Sequence, residues 1–289
     1  AMITLTDNRT TIYANTSELL ILNTAPAFDG GYPQINSTDG TNQTTKSLIA
    51  NIRATDNDAS DRTLRYNLTW YTNNLTNFTL NNIYYINGTL QLETLIFNNQ
   101  TKGQTWKAMI NLFDNTTNVI ANTSELLILN TQPAFDGGYP QINSTDGTNR
   151  TTVNLRVMFK ANDTDVNDVL RYDMQVFTNN VSNFTLRNIA YTNGSLQVET
   201  LISNNLTKGQ TWKAQINLSD GTANIFSNTS ELLILNTPPQ FQVNPVINST
   251  NGLNTTQQNL NVFFTANESD VNDRLNYSVQ VFTNNVTNF

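Results

Sequence analysis

Three short stretches hold the densest acidic chemistry in this chain. DNDASD supplies Asp56, Asp58 and Asp61; DTDVND supplies Asp163, Asp165 and Asp168; ESDVND supplies Glu268, Asp270 and Asp273. Carboxylates at the first, third and sixth positions of a loop can converge on one hard cation, and calcium takes such oxygen ligands. The stretches are shorter than an EF-hand loop and lack its obligatory glycine. Asp and Asn also favour loops by bonding their own backbone, so a calcium site and a plain acidic turn both stay open. Paired carboxylates invite a glycosidase reading too, with one acid and one nucleophile. Here they share a loop with no apolar pocket to raise either pKa, and the arrangement recurs in every copy. No enzyme is expected. Lys102 and Lys208 are candidates for isopeptide links to Asn, but they sit in glycine-containing turns rather than buried strands, which argues against that chemistry.

The second chemical signal is asparagine. The chain has 49 Asn and 59 Ser plus Thr, and 25 N-x-[ST] triplets where chance placement gives about ten. They begin at Asn8, Asn15, Asn36, Asn42, Asn67, Asn74, Asn77, Asn87, Asn99, Asn115, Asn122, Asn143 and Asn149, and continue at Asn162, Asn180, Asn183, Asn193, Asn205, Asn217, Asn228, Asn248, Asn254, Asn267, Asn276 and Asn285. A single triplet is a weak motif. This excess predicts a chain exported and coated with N-linked glycans. Duplication of a polar sequence accounts for part of it, although the triplets persist where the third entry segment has diverged (QFQVNP from Gln240). Asn217 is expected to point outward, because Trp212, Ala214, Ile216 and Leu218 are its inward neighbours on an alternating strand.

The string NTSELLILNT begins at Asn15, Asn122 and Asn228, 107 and then 106 residues apart. That period matches one sandwich domain of ~100 residues rather than a solenoid turn. The expected organisation is residues 1–24 as the tail of one copy, full copies at 25–130 and 131–236, and the first half of another at 237–289. This phase reads as a window on a longer polymer. Donor-strand exchange between subunits fits less well, since about 29 residues of a copy would still be missing.

Within a copy, Leu48, Ala50, Ile52 and Ala54 alternate with mostly polar neighbours, as do Leu64, Tyr66, Leu68 and Trp70, and Trp106, Ala108, Ile110 and Leu112. This is the period of half-buried strands. Asn87–Gly88 reads as a hairpin turn, and the NTSELLILNT string reads as the closing strand. About seven strands per copy follow, with the Trp side chains inward. The predicted class is all-β: tandem seven-stranded antiparallel immunoglobulin-like sandwiches, end to end. Copies are joined by NTAP, NTQP or NTPP. Pro26, Pro133, Pro238 and Pro239 stiffen these junctions, and Phe28, Phe135 and Phe241 either pack at the junction or belong to the domain they enter.

Composition closes other routes. The chain has neither cysteine nor histidine, which excludes disulfides, thiol nucleophiles and imidazole bases. Net charge is −7 without a basic run, so nucleic acid is not an expected partner. Apolar runs of about five residues are far too short to span a membrane as a helix.

The combination A-[TN]-D-x-D-x-x-D…L-x-Y, as in ANDTDVNDVLRY at Ala161–Tyr172, with KGQTWKA at Lys102–Ala108 and a closing N-T-x-P, resembles tandem immunoglobulin-like or cadherin-like repeats of large prokaryotic, especially archaeal, surface proteins. Several such domains pair a cysteine on the first clear strand with one on the Trp strand. Ala108 and Ala214 follow the Trp here, so packing alone must hold each copy. The resemblance implies a structural protein at the cell surface or outside the cell: a glycosylated filament or stalk whose partners are neighbouring repeats or subunits of the same protein. An alternative is the extender region of an adhesin or surface-layer glycoprotein.

Overall fold

A computed structural model of the chain describes every residue except 59–62, 98–99, 115, 284–285 and 288–289. Asp61, Asn99, Asn115 and Asn285 thus lie outside the described residues. The chain divides into two compact units, Ala1–Thr131 and Gln132–Phe289, each with its own apolar core. Among the described residues helix is limited to 3-10 structure, at Phe97 and at Ser203–Asn205, and no helix is long and apolar enough to cross a membrane.

The first unit opens with a hairpin of β1 (Met2–Thr6) and β2 (Thr11–Asn15). Its sandwich follows: β3 (Ala27–Phe28), β4 (Gln34–Ser37), β5 (Leu48–Thr55), β6 (Thr63–Thr72), β7 (Leu75–Ile86), β8 (Leu90–Leu95), β9 (Thr105–Phe113), β10 (Asn118–Asn122) and β11 (Leu126–Leu127). One sheet gathers β3, β4 and β8 on β5; the other runs β10-β9-β6-β7, with β11 also on β9. Every strand pairing among the described residues is antiparallel, and an isolated parallel bridge joins Gln43 to Leu129. Counting β3 with β4 and β10 with β11 as interrupted strands gives seven positions, three in one sheet and four in the other. This is an immunoglobulin-like sandwich.

Alternation sets which side chains meet. Leu48, Ala50, Ile52 and Ala54 on β5 are fully buried, and so are the inward residues of β6 and β9. The register sets Trp70 opposite Ala108, Leu68 opposite Ile110 and Tyr66 opposite Leu112. A small residue therefore faces the largest one, as close packing requires. Burying each large apolar side chain contributes about 1.5–3 kcal/mol, and all three Trp lie inside.

The second unit repeats this plan with β12 (Ala134–Phe135), β13 (Gln141–Ser144), β14 (Leu155–Asn162), β15 (Arg171–Thr178), β16 (Val181–Ala190), β17 (Leu196–Leu201), β18 (Thr211–Ser219), β19 (Asn224–Asn228) and β20 (Leu232–Leu233). β12, β13 and β17 pair with β14, and the other sheet runs β16-β15-β18-β19 with β20 on β18. A long hairpin of β21 (Gln240–Ser249) and β22 (Leu260–Asn267) follows.

Two local expectations change. Asn87–Gly88 does not close a hairpin: β7 stays with β6, while β8 crosses to pair with β5 in the facing sheet. The tight hairpin turn is Asn73–Asn74, with φ of 48° and 64°, and Asn179–Asn180 repeats it. Two consecutive left-handed residues suit the twist of paired strands, and asparagine tolerates them. The closing strand also starts earlier than the apolar string, at Asn118, and breaks before Leu126. In the opening segment the string forms no strand after Asn15, which ends β2, and Leu19–Leu22 are exposed.

At the crossover between sheets a buried tyrosine spans the core. Tyr191 Oη accepts the Ala161 N–H at 2.8 Å and lies 3.0 and 2.6 Å from the carbonyl oxygens of Ala161 and Ser195, to one of which it donates. Tyr85 makes the same set with Ala54 and Thr89. Tyr191→Phe would leave a buried N–H unpaired and should cost about 1–3 kcal/mol. Tyr84→Phe, on an exposed face, should change nothing measurable. Thermal unfolding of the two variants beside the parent chain checks this, and equal melting points for both would refute it.

Candidate functional site

The Asp56 and Asp163 loops each leave a strand of one sheet and are held by an asparagine from the crossover turn. Asn193 Oδ1 accepts the Asp163 N–H at 2.8 Å and Asn193 Nδ2 donates to the Asp163 carbonyl at 2.7 Å. Asn87 grips Asp56 identically, at 2.9 and 2.7 Å. The first acid then folds the loop on itself, its carboxylate accepting the N–H of the third residue: Asp58 on Asp56, Asp165 on Asp163 and Asp270 on Glu268, at 2.8–2.9 Å. This local bonding is the Asx-type turn that favours acids in loops.

The structure brings the predicted ligands together in two loops. Asp163, Asp165 and Asp168 present carboxylate oxygens within 4.8 Å of one another, and so do Glu268, Asp270 and Asp273. The third predicted set includes Asp61, outside the described residues. Asp163 Oδ2 and Asp56 Oδ2 are buried with no hydrogen-bond partner. Burial pushes the Asp163 carboxyl above the usual carboxylate range, and the charges of Asp165, Asp168 and Asp220 add to the effect. An unsatisfied buried oxygen is costly, and a hard cation would relieve it. At the Glu268 loop a protein cation already holds one of the acids: the Lys208 ammonium pairs with Asp273.

Of the 25 triplet asparagines, 17 are exposed. Asn42, Asn67, Asn87, Asn149 and Asn217 are half-buried, and three lie outside the described residues. The exposed ones occupy both sheets, for example Asn36 and Asn143 on β4 and β13, Asn122 and Asn228 ending β10 and β19, and Asn77 and Asn183 on β7 and β16. Several have work to do in the bare fold. Asn42, Asn149 and Asn254 sit at φ of 54–57° in tight turns. Asn67 Oδ1 accepts the N–H of Asn82 at 2.7 Å where β7 bulges, and in the second copy Asp173 does the same for Asn188. The acceptor is kept there while the triplet is not. Asn217 faces away from the core as alternation requires, yet its Oδ1 is buried and unpartnered. The strand is interior to its sheet, so Asp173 and Phe226 flank it on either side.

The junction residues resolve in favour of the domain they enter. Phe28 and Phe135 pack on the cores of their own sandwiches, with Phe135 against Phe159 at 6.3 Å. Phe241 meets Phe264 at 5.9 Å. Pro26 and Pro133 are buried, whereas Pro238 and Pro239 are exposed. The two grips on the acidic loops, Asn87 and Asn193, escaped the sequence reading because N-G-[TS] already reads as a turn and as a triplet.

No family model matches the chain, and no curated protein matches it in sequence. Among solved structures it is similar to the FN1–FN3 domains of chicken CNTN1, at 8% identity and a TM-score of 0.31, over 86% of this chain and 90% of that one. A titin structure of tandem Ig domains gives 12% identity and a TM-score of 0.24, over 73% and 97%. A Bacteroides uniformis β-glucuronidase gives 10% and 0.27, over 77% of this chain but 32% of the enzyme. Scores this low carry no functional argument, and the fold class stands on the strand pairing itself.

The dual use of Asn193 can be separated from its triplet. In unglycosylated protein Asn193→Ala removes both bonds to Asp163 and should cost about 1–2 kcal/mol, whereas Ser195→Ala abolishes the triplet and keeps the grip. Equal melting points for the two variants would rule out the structural role.

Proposed function

We propose that the chain is a structural, non-enzymatic segment of an extracellular or cell-surface filament or stalk, built from tandem sandwiches and sheathed in N-linked glycans. The observation that carries this reading is the spread of exposed triplet asparagines over both sheets of both copies. Glycans there would cover flat faces and strand edges, the surfaces through which sandwiches otherwise pair and aggregate. The short proline-bearing junctions support the same reading, since they limit hinge freedom between copies. The domain organisation goes with it: two complete sandwiches at 25–130 and 131–236, flanked by parts of further copies. Its partners are then other copies of the same repeat, joined covalently or docked as subunits.

The sugar coat is tested by intact-mass measurement of protein from its native source, before and after chemical deglycosylation. The expected result is a mass well above the polypeptide that collapses towards the bare value, 32.3 kDa for this stretch. A native mass equal to the polypeptide would remove the glycan sheath from the reading.

A further inference from the structure

The Glu268–Asp273 loop does something that neither a cation site nor a solvated turn accounts for. Asp270 is buried, and its Oδ2 accepts the backbone N–H of Thr237, in the Asn-Thr-Pro-Pro linker, at 2.8 Å. Its Oδ1 takes the hydroxyl of Thr151, which belongs to the preceding sandwich. An ionised carboxylate only accepts. The Thr151 hydrogen is therefore committed to Asp270, and the Thr237 hydroxyl must donate to Thr151 Oγ1, 2.8 Å away. The linker threonine is thus held twice, by its hydroxyl to the sandwich it leaves and by its N–H to the segment it enters. Beside it, Lys208 of the preceding sandwich pairs with Asp273 and reaches the linker Asn236 Oδ1 at 3.2 Å.

Parts of this arrangement recur in the first unit. Thr24, the linker threonine at the first junction, donates its N–H to Asp58 Oδ2 at 2.7 Å, and Asp58 stands in its loop where Asp270 stands in the other. The neighbouring Asn23 donates to Asp114 Oδ2 at 2.9 Å. Burial pushes the Asp114 carboxyl up, but hydrogen bonds from Asn23, Thr117 and Thr116 outweigh it and hold the group at about 2. At the far end of the same sandwich the hydroxyls of Thr44 and Thr131 lie 2.8 Å apart, as Thr151 and Thr237 do.

We propose that the acidic loop is a docking clasp. Its third residue seizes the linker threonine and its sixth binds the lysine turn of the sandwich before it, so the joint between consecutive repeats is set by a buried polar network as well as by proline. Three features distinguish this network from a surface ion pair worth little. Asp270, Thr151 and Thr237 are all more than nine-tenths buried. Both Asp270 oxygens are satisfied. The bonds also join segments 33 and 119 residues apart in sequence. A buried carboxylate left without its donors is strongly unfavourable, so a joint that opens loses the whole set together.

The clasp deepens the stalk reading, and the two fail separately: a loose joint in a glycosylated filament would sink the clasp alone. Because the chain has no cysteine, spin labels at Asn204→Cys and Gln257→Cys, both exposed, report the distance across this joint in the whole chain by double electron–electron resonance. The expected result is a narrow distribution that broadens at least twofold in Asp270→Ala and in Lys208→Ala, and stays narrow in Lys208→Arg and in the surface control Val271→Ala. Thr151→Val removes the hydroxyl from the intact sandwich without touching the loop, so it keeps the test decisive if Asp270→Ala disturbs the loop's own fold. Unchanged widths in Thr151→Val and Lys208→Ala, with the sandwich still folded, would overturn the clasp. So would a chelator that broadens the parent chain as much as the substitutions do, because a bound cation would then be holding the joint.

Discussion

A β-sheet with one apolar face cannot remain alone in water, and each sandwich here exists because two such faces close on each other. Every other feature is placed by that closure. Leu, Ile, Val, Trp and Tyr side chains from β5, β6 and β9, and from β14, β15 and β18, meet in the middle, and the alternate residues are turned outward by the pleat. With no disulfide to constrain the unfolded chain, packing and the hydrogen bonds that cross it hold each copy. Tyr85 and Tyr191 belong to that framework, since each ties the sheet crossover to a strand of the facing layer.

The outward residues show how one residue type serves several ends. Asparagine supplies left-handed turns at Asn73–Asn74 and Asn179–Asn180, a bulge acceptor at Asn67, and a two-bond grip on the acidic loops at Asn87 and Asn193. Part of the asparagine enrichment therefore belongs to turn and edge chemistry. The exposed triplets on both sheets are what remains for the proposed glycans.

The acidic loops repeat the lesson at higher electrostatic cost. Gathering three carboxylates is unfavourable unless something neutralises or solvates them. In the Glu268 loop the neutralising groups come from the protein: a backbone N–H, a threonine hydroxyl and a lysine ammonium. The first acid of the Asp56 and Asp163 loops keeps one oxygen buried and unpartnered, and there a cation has a physical reason to bind.

The sequence alone determined the class, the period of the copies, the inward residues of each main strand and the position of both acidic and asparagine signals. These are local properties, because alternation has period two and turn residues act over three or four positions. Only the tertiary structure decided which sheet each strand joins, as when β8 leaves β7 for β5 across Asn87–Gly88. It also decided which carboxylate meets a linker threonine, and that Asn217 is crowded by strands on both sides. Such facts depend on residues far apart in the chain, which meet only after the two sheets close.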